Sequence, residues 1–568
     1  MPLQKFLFRP GIDREGTDYS NEGGWFDSNL VRFRKGLPEK IGGWAKNTSN
    51  TFLSTCRALH AWVNLELTKY LGMGTTWKYY VLQGDEFNDI TPLRTTTSAG
   101  DVTFSASNGD ATLTVTDTSH GAVVNDFVTF SGAVTLGGLI TADVLNQEYQ
   151  IATVTSANVY TIEAKDTDGD EVTANSSDSG NGGSSVVGAY QINVGLDVYV
   201  EGSGWGAGTW GAGTWGSVSA ISASSQLRNW SHDNFGEDLV LNPRGGGVFY
   251  WDQSGGTTTR AVAVSDLSGA NLAPTIALQV LVSDIDRHVI CFGADPINDS
   301  NVRTSASDPM FICWSDQENV TEWEPLATNT AGSFRLSAGS AIVGAIRARQ
   351  ETLVWTDTSM YSMTFVGQPF TFSTNLVNEG VGLIGPKGVV NSPKGVFWMD
   401  KKGFYNYTGQ INDVPCSVQD YVFSDFEEGQ AYQVFGFLNK EFDEVGWFYC
   451  SSGETVIDRY VVYNYDEQVW SIGQLSRSAW IDEGIFNNPM ATYTTANVGY
   501  LYNHETGNDA DGSPMDSVYI ESSDFDIDPA GEEFQQIRRI IPDIKFTGDG
   551  GSDQTINIVL KKRNFPGE

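Results

Sequence analysis

Side chains able to do chemistry are plentiful in this sequence, but their spacing does not group them. The five histidines (His60, His120, His232, His288, His504) are scattered, with no H-x-H or H-E-x-x-H, so local spacing supplies no transition-metal site. The five cysteines (Cys56, Cys291, Cys313, Cys416, Cys450) form no C-x-x-C pair and read as buried free thiols of a reducing compartment. No G-x-S-x-G elbow, Walker loop or Rossmann fingerprint occurs. Two acidic loops, DTDGDE (Asp166–Glu171) and NDADGS (Asn508–Ser513), offer oxygen ligands. They lack the spaced set and distant bidentate Glu of an EF-hand, and Asp/Gly hairpin turns account for them. With 70 acids some close carboxylate pair is unavoidable, so proximity alone does not argue for glycoside hydrolysis. The expectation is a non-enzyme with no catalytic residue, metal or cofactor.

Two stretches stand out instead as binding surfaces. DSNLVRFRKGLPEKIGGWAK (Asp27–Lys46) is the one basic concentration, and in a strand Arg32 and Arg34 fall on one face because Val31 and Phe33 alternate with them. Docking onto an acidic partner subunit is one reading of the two arginines; an ordinary solvated edge is the other. GSGWGAGTWGAGTWGS (Gly202–Ser217) sets Trp205, Trp210 and Trp215 five residues apart on a glycine-rich backbone. Extended, it would alternate the face each indole occupies and let the backbone lie close to a neighbour. That describes a clasp across blades or between subunits, or equally a blade-closing strand within one subunit.

The elements that must position these residues are strands. Aromatics are 12% of the chain and glycines number 62, a mixture that suits short strands and tight turns and disfavours long helices. Apolar runs of a few residues recur between Gly, Asn, Asp and Pro, while helical periodicity is almost absent. FICWSDQ, LVWTDTSMY and VFWMDKKGF share one plan, an apolar strand ending in Trp-x-Asp: Trp314 with Asp316, Trp355 with Asp357, Trp398 with Asp400. Looser echoes occur around Trp251, at Thr75–Pro92, at Tyr460–Ile472 and at Asn497–Gly507. A repeat in the forties with several strands per unit predicts a β-propeller of about six blades, with six or seven drawable from the repeats. The aromatic would pack between blades while the Asp accepts backbone N–H bonds and starts a turn.

One segment breaks the rhythm. From Ser98 to Val187 aromatics thin out and Thr, Ser, Val, Asp and Gly alternate, which predicts a small β-barrel or sandwich inserted in an exposed loop, with NSSDSGNGGSS (Asn175–Ser185) as its return linker. The expected organisation is a docking segment with first strands (1–57), a first blade (58–97), the insert (98–187), a Gly/Trp-rich connector (188–226), and the remaining blades and C-terminal strands (227–568). The formal net charge of −36 makes tight phosphate gripping improbable, since that needs clustered Lys and Arg. The opening residues lack a signal-peptide core and no segment approaches a membrane span, so synthesis in the cytoplasm and no membrane insertion are expected.

PGIDREGTDYSNEGGWFDSNLVRFRKGLPEKIGGW (Pro10–Trp44) resembles the N-terminus of tail nozzle proteins of short-tailed phages, also called packaged-DNA stabilisation or tail-hub proteins. The block from Trp314 to Phe372 resembles the same family, as do GLIGPKGVV, VPCSVQDYVFSDF and YNHETG. Together they cover most of the chain outside Ser98–Val187. That insert is separately similar to small β-barrel modules of phage structural proteins, through DTSHGAVVNDFVTFSGAVTLGG. The resemblance implies a propeller subunit, six to a ring, located at the distal end of the virion tail. The ring's channel retains packaged DNA and conducts it at ejection without holding it tightly. Implied neighbours are a portal-adaptor ring, which Arg32 and Arg34 would face, and tail spikes, fibres or a needle. An acidic bore would repel the duplex and keep friction low. Family members run on past a segment like KKRNFPGE, with which this chain ends. The alternative function is a receptor-binding or glycan-cleaving propeller at the tail tip, since WSDQENVTEW (Trp314–Trp323) faintly resembles a sialidase turn; the arginine cluster and Tyr/Glu pair of a sialidase are not discernible.

Overall fold

Strands such as Thr352–Thr356 and Glu444–Tyr449 are buried along their whole length rather than on alternate residues. Only a sheet covered on both faces requires that pattern, and stacked sheets are what the chain builds. In the computed structural model, residues 5–17, 20–199, 227–525, 537–546 and 555–561 are described. Their dominant feature is seven antiparallel sheets arranged as propeller blades, six of four strands and one of four strands with a short fifth at its edge. The innermost strands are Cys56–Val63, Trp230–Phe235, Gln279–Val282, Ile342–Arg347, Val389–Ser392, Phe435–Asn439 and Ala479–Ile481. Each packs against the next, and the seventh packs against the first, so the ring is closed. The sequence expectation of about six blades becomes seven.

The seventh blade is the one whose fourth strand lies far from the rest in sequence. Ala479–Ile481, Met490–Thr495 and Val498–His504 form three strands of blade 7, and Trp44–Lys46 adds the fourth, with Trp44 opposite His504 and Lys46 opposite Tyr502. Phe52–Leu53 pairs with the same strand near Val498. The N-terminal region thus completes the last blade and caps its free edge, where backbone N–H and C=O groups would otherwise stand unpaired. A second N- to C-terminal join pairs Trp25–Asn29 with Tyr519–Ser522, and the hairpin Val31–Arg34/Leu37–Lys40 packs on the outer strand of blade 6.

Apolar cores lie between blades rather than within them. Trp230, Trp251 and Tyr79 fill the space between blades 1 and 2; Trp355 and Trp398 that between blades 4 and 5; Trp447 and Trp470 that between blades 5 and 6. Close approach fixes some small residues. A Cβ at Gly74 would stand 2.4 Å from the Trp230 ring, so this position in the second strand of blade 1 admits only glycine without repacking.

The insert runs from Leu93 to Gln191, a few residues wider at each end than expected, between blades 1 and 2. It stacks a four-stranded sheet on a five-stranded one around its own core, including Phe104, Phe130, Tyr149 and Tyr160. The expected return linker instead contributes the strand Asp178–Asn181, which pairs with Thr103–Ala106. The insert is also anchored rather than loosely tethered. Lys78 Nζ lies 2.9 Å from Asp89 and contacts Glu148 of the insert, and Arg260 of blade 2 reaches both carboxylates at 3.3 Å. Residues 537–546 and 555–561, the latter read as a strand, take no helix or strand pairing.

Candidate functional site: the ring-closing latch and the axial cavity

Arg32 and Arg34 lie on one strand face, and both guanidinium groups stand over the Phe442 ring, at 3.6 and 5.2 Å. Their surroundings differ. Arg34 is half-exposed, with Glu39 3.9 Å away. Arg32 is 5% exposed; its Nε lies 3.2 Å from Glu444 on blade 6, and its Nη1 donates to Glu505 after blade 7 at 3.0 Å. This corrects the expectation that Arg32 docks an adaptor. Its charge is spent inside the subunit, because the hairpin carrying it folds down over two acidic blades.

The electrostatics of this latch are lopsided, with two carboxylates on one guanidinium. Burial works against the Arg32 cation, but Glu444 and Glu505 outweigh it and raise its pKa. Burial pushes Glu444 up to about 7, partly offset by Arg32 and reinforced by Glu505. Glu505 also accepts from Gly42 N at 3.0 Å and Asn439 Nδ2 at 3.1 Å, tying the N-terminal segment to blades 6 and 7.

The axis holds a cavity of about 430 Å³ lined by blades 1 to 5, with His60, His232, Asp233, Gln279, Arg347 and Lys387 on its wall. Inner strands have no ladder partner on the axial side, so their backbone groups need other partners. Side chains from the neighbouring blade supply them. Ser231 Oγ accepts from Val280 N at 2.9 Å, Asp233 Oδ2 from Val282 N at 2.9 Å, and Gln279 bonds both ways to Ala345 at 2.6 and 2.8 Å. Arg347 Nη2 completes the set on Asp233 at 3.0 Å. Burial lowers the pKa of His60 and of His232, keeping both imidazoles neutral, and their rings stand 5.2 Å apart. Burial, with Arg244 nearby, brings Lys387 down to about 8. The polar axis is an inter-blade hydrogen-bond scaffold, and among the described residues no group of three or more His, Cys, Asp or Glu could hold a metal ion.

The Trp-x-Asp residues do not occupy one register. Trp314 is on the third strand of blade 3, whereas Trp355 and Trp398 are on second strands of blades 4 and 5. Trp355 and Trp398 meet across their interface at 5.3 Å, and Trp314 reaches Phe372 of blade 4 at 5.1 Å. Asp316 accepts from Thr330 N at 2.8 Å and Asp357 from Ser340 N at 2.7 Å. Both donors belong to the segment leading into the neighbouring strand, so each Asp fixes that approach rather than chiefly its own turn. Burial opposes ionisation of both, but these bonds outweigh it and hold them below the ordinary carboxylate range. Asp400 sits opposite Gly403 at a hairpin end. Trp205, Trp210 and Trp215 lie outside the described residues.

Three further tryptophans also bond across blades, through their indole N–H. Trp230 Nε1 donates to Thr75 O at 2.7 Å, Trp447 to Gly388 O at 2.9 Å, and Trp480 to Leu438 O at 2.9 Å, each on the preceding blade. For Trp480 the available signal was Trp-x-Asp itself, with Asp482 two residues on; Trp230 and Trp447 have no Asp at that spacing. The acidic loops are turns as expected: Asp166 Oδ1 accepts from Asp168 N and Asp170 N, and Asp509 Oδ1 from Gly512 N.

No family model matches the chain, and no curated protein does. Among solved structures, the AfRom2 CNH domain is 9% identical with a TM-score of 0.26, covering 49% of this chain and 96% of that one. The phage phi92 endosialidase is 10% identical with a TM-score of 0.18, over 99% and 80%. Hsv2 of Kluyvelomyces marxianus is 7% identical with a TM-score of 0.25, over 52% and 77%. Likeness at this level carries no argument about function, and the propeller assignment stands on the sheet topology itself. No helix among the described residues is long and apolar enough to cross a membrane.

Proposed function

We propose that this chain is a structural, non-catalytic subunit of a short-tailed phage tail nozzle. In this reading a homo-hexamer sits at the distal end of the virion tail, and its bore retains packaged DNA and conducts it at ejection. The observation that carries the reading is where the resembling segments lie. Pro10–Trp44 contains the latch over blades 6 and 7 and begins the strand that closes the ring, and Trp314–Phe372 builds parts of blades 3 and 4. The resemblance thus attaches to the propeller frame, while the segment outside it is the separately cored insert.

Charge supports the same reading. Six copies of a chain with a formal charge of −36 give the ring a large excess of carboxylates, and those that face the bore would pass a polyanion without the counterion release that makes basic channels grip. With Arg32 buried, Arg34 remains as the half-exposed basic residue of that strand for a portal-adaptor ring. The projecting insert is free for spikes, fibres or a needle. Negative-stain microscopy of the purified protein tests the proposal: six-fold rings with a central hole are expected. A monomer that cleaves polysaccharide would overturn it in favour of a tail-tip receptor-binding or glycan-cleaving propeller.

A further inference from the structure

Blade 3 brings two cysteines face to face. Cys291 on Val289–Phe292 and Cys313 on Phe311–Trp314 are direct partners in the antiparallel ladder, and both are free thiols. Directly opposed residues of such a pair have Cα atoms about 4.5–5.5 Å apart, inside the span a disulfide bridges. Both side chains belong to the same apolar core between blades 2 and 3. Arg303 Nη1 approaches Cys313 Sγ at 3.7 Å, while its other bonds go to the carbonyls of Asp295 and Leu272. Both thiols are almost fully buried, yet Arg303 rides on the long connection between the two strands, much of it exposed between Asn298 and Ser307. Peroxide access requires a local opening, and the exposed connection that carries Arg303 to Cys313 is the segment where it is expected.

We infer that Cys291 and Cys313 form a peroxide-responsive dithiol that closes to a cross-strand disulfide, with Cys313 the attacking sulfur and Cys291 the resolving one. The Cys313 thiolate attacks hydrogen peroxide; an S–O bond forms, the O–O bond breaks and hydroxide leaves. The Cys291 sulfur then attacks the Cys313 sulfenic acid; the S–S bond forms, the S–O bond breaks, and the oxygen leaves as water with the Cys291 proton. Two thiols lose two electrons and one peroxide becomes two waters. Burial opposes thiolate formation at Cys313, but the Cys291 hydrogen bond and Arg303 outweigh it, whereas burial and Cys313 raise Cys291 well above the ordinary thiol range. The guanidinium of Arg303, 3.7 Å from the Cys313 sulfur, makes that sulfur the attacking one.

The test treats the full chain with hydrogen peroxide at pH 8, alkylates remaining thiols in denaturant, and maps the peptides. The expected product has lost two hydrogens, joins the Cys291 and Cys313 peptides, and reverts with dithiothreitol. Cys291→Ser and Cys313→Ser each abolish the loss, Cys416→Ser leaves it intact, and Arg303→Gln slows it severalfold. The proposal is overturned if both thiols remain fully alkylated while the partly buried Cys416 is oxidised, or if the linkage joins another pair. The wild-type map decides the matter even if a serine variant misfolds.

Discussion

Replacing Arg32 by alanine should be far more damaging than trimming a surface arginine. The guanidinium is enclosed with two carboxylates whose side chains are 5% and 9% exposed, so removing it leaves buried negative charges facing each other. Breaking a buried ion pair in this way costs about 3–5 kcal/mol. Losing the stack on Phe442 adds to the cost by up to about 2 kcal/mol where the cation is desolvated. Proton uptake by Glu444 gives part of this back, because its pKa of about 7 lies within easy reach of neutrality. The net expectation is a loss of about 3–5 kcal/mol at pH 8 that shrinks at pH 5.5. Urea unfolding followed by tryptophan fluorescence leaves the insert silent, since residues 93–191 contain no tryptophan. Stability is compared through the transition midpoint, provided the slope is unchanged. A cost below about 0.5 kcal/mol at pH 8, typical of an exposed residue, would refute the latch.

Three further outcomes follow from the same geometry. Glu444 keeps its proton in the folded chain up to about pH 7, against an ordinary value of 4.5, so its contribution is fully present below pH 4.5 and is lost as pH rises through 7. The gap amounts to about 3 kcal/mol, and Glu444→Gln should flatten the fall in melting temperature between pH 5 and 8. Gly74→Ala, which drives a methyl into the Trp230 ring, should cost about 1–3 kcal/mol by the same fluorescence assay. Trp398→Ala, which removes a fully buried ring and its contact with Trp355, should cost about 3–5 kcal/mol and broaden or split the transition if blades 4 and 5 uncouple.

Local patterns carried the strand-and-turn class, the insert and the aromatic cores, because each depends on residues within a hairpin of one another. FICW, LVWT and VFWMD are buried strands as read, and the alternating Thr/Val segments after Ser98 form the separate double sheet. What escaped depends on partners hundreds of residues apart. Nothing near Trp44–Lys46 announces that it completes a sheet with Val498–His504, and that pairing is what raises the blade count to seven. Arg32 reads as a surface charge until Glu444 and Glu505 are brought to it. Trp230 and Trp447 lack the Asp two residues on that marked the repeat, whereas Trp480 has it in Asp482, yet all three bond across blades, because an indole N–H needs only a neighbouring carbonyl. The polar axis was equally illegible: Ser231, Asp233 and Gln279 take their role from the unladdered inner strands opposite them.

The nozzle account is tested most directly by an electron-microscopic reconstruction of the intact virion that carries this chain. It predicts seven-bladed discs repeated six times around the bore at the far end of the tail, each with its two-sheet insert projecting from the ring. Discs found on peripheral spikes, or a tail end with no such ring, would contradict it.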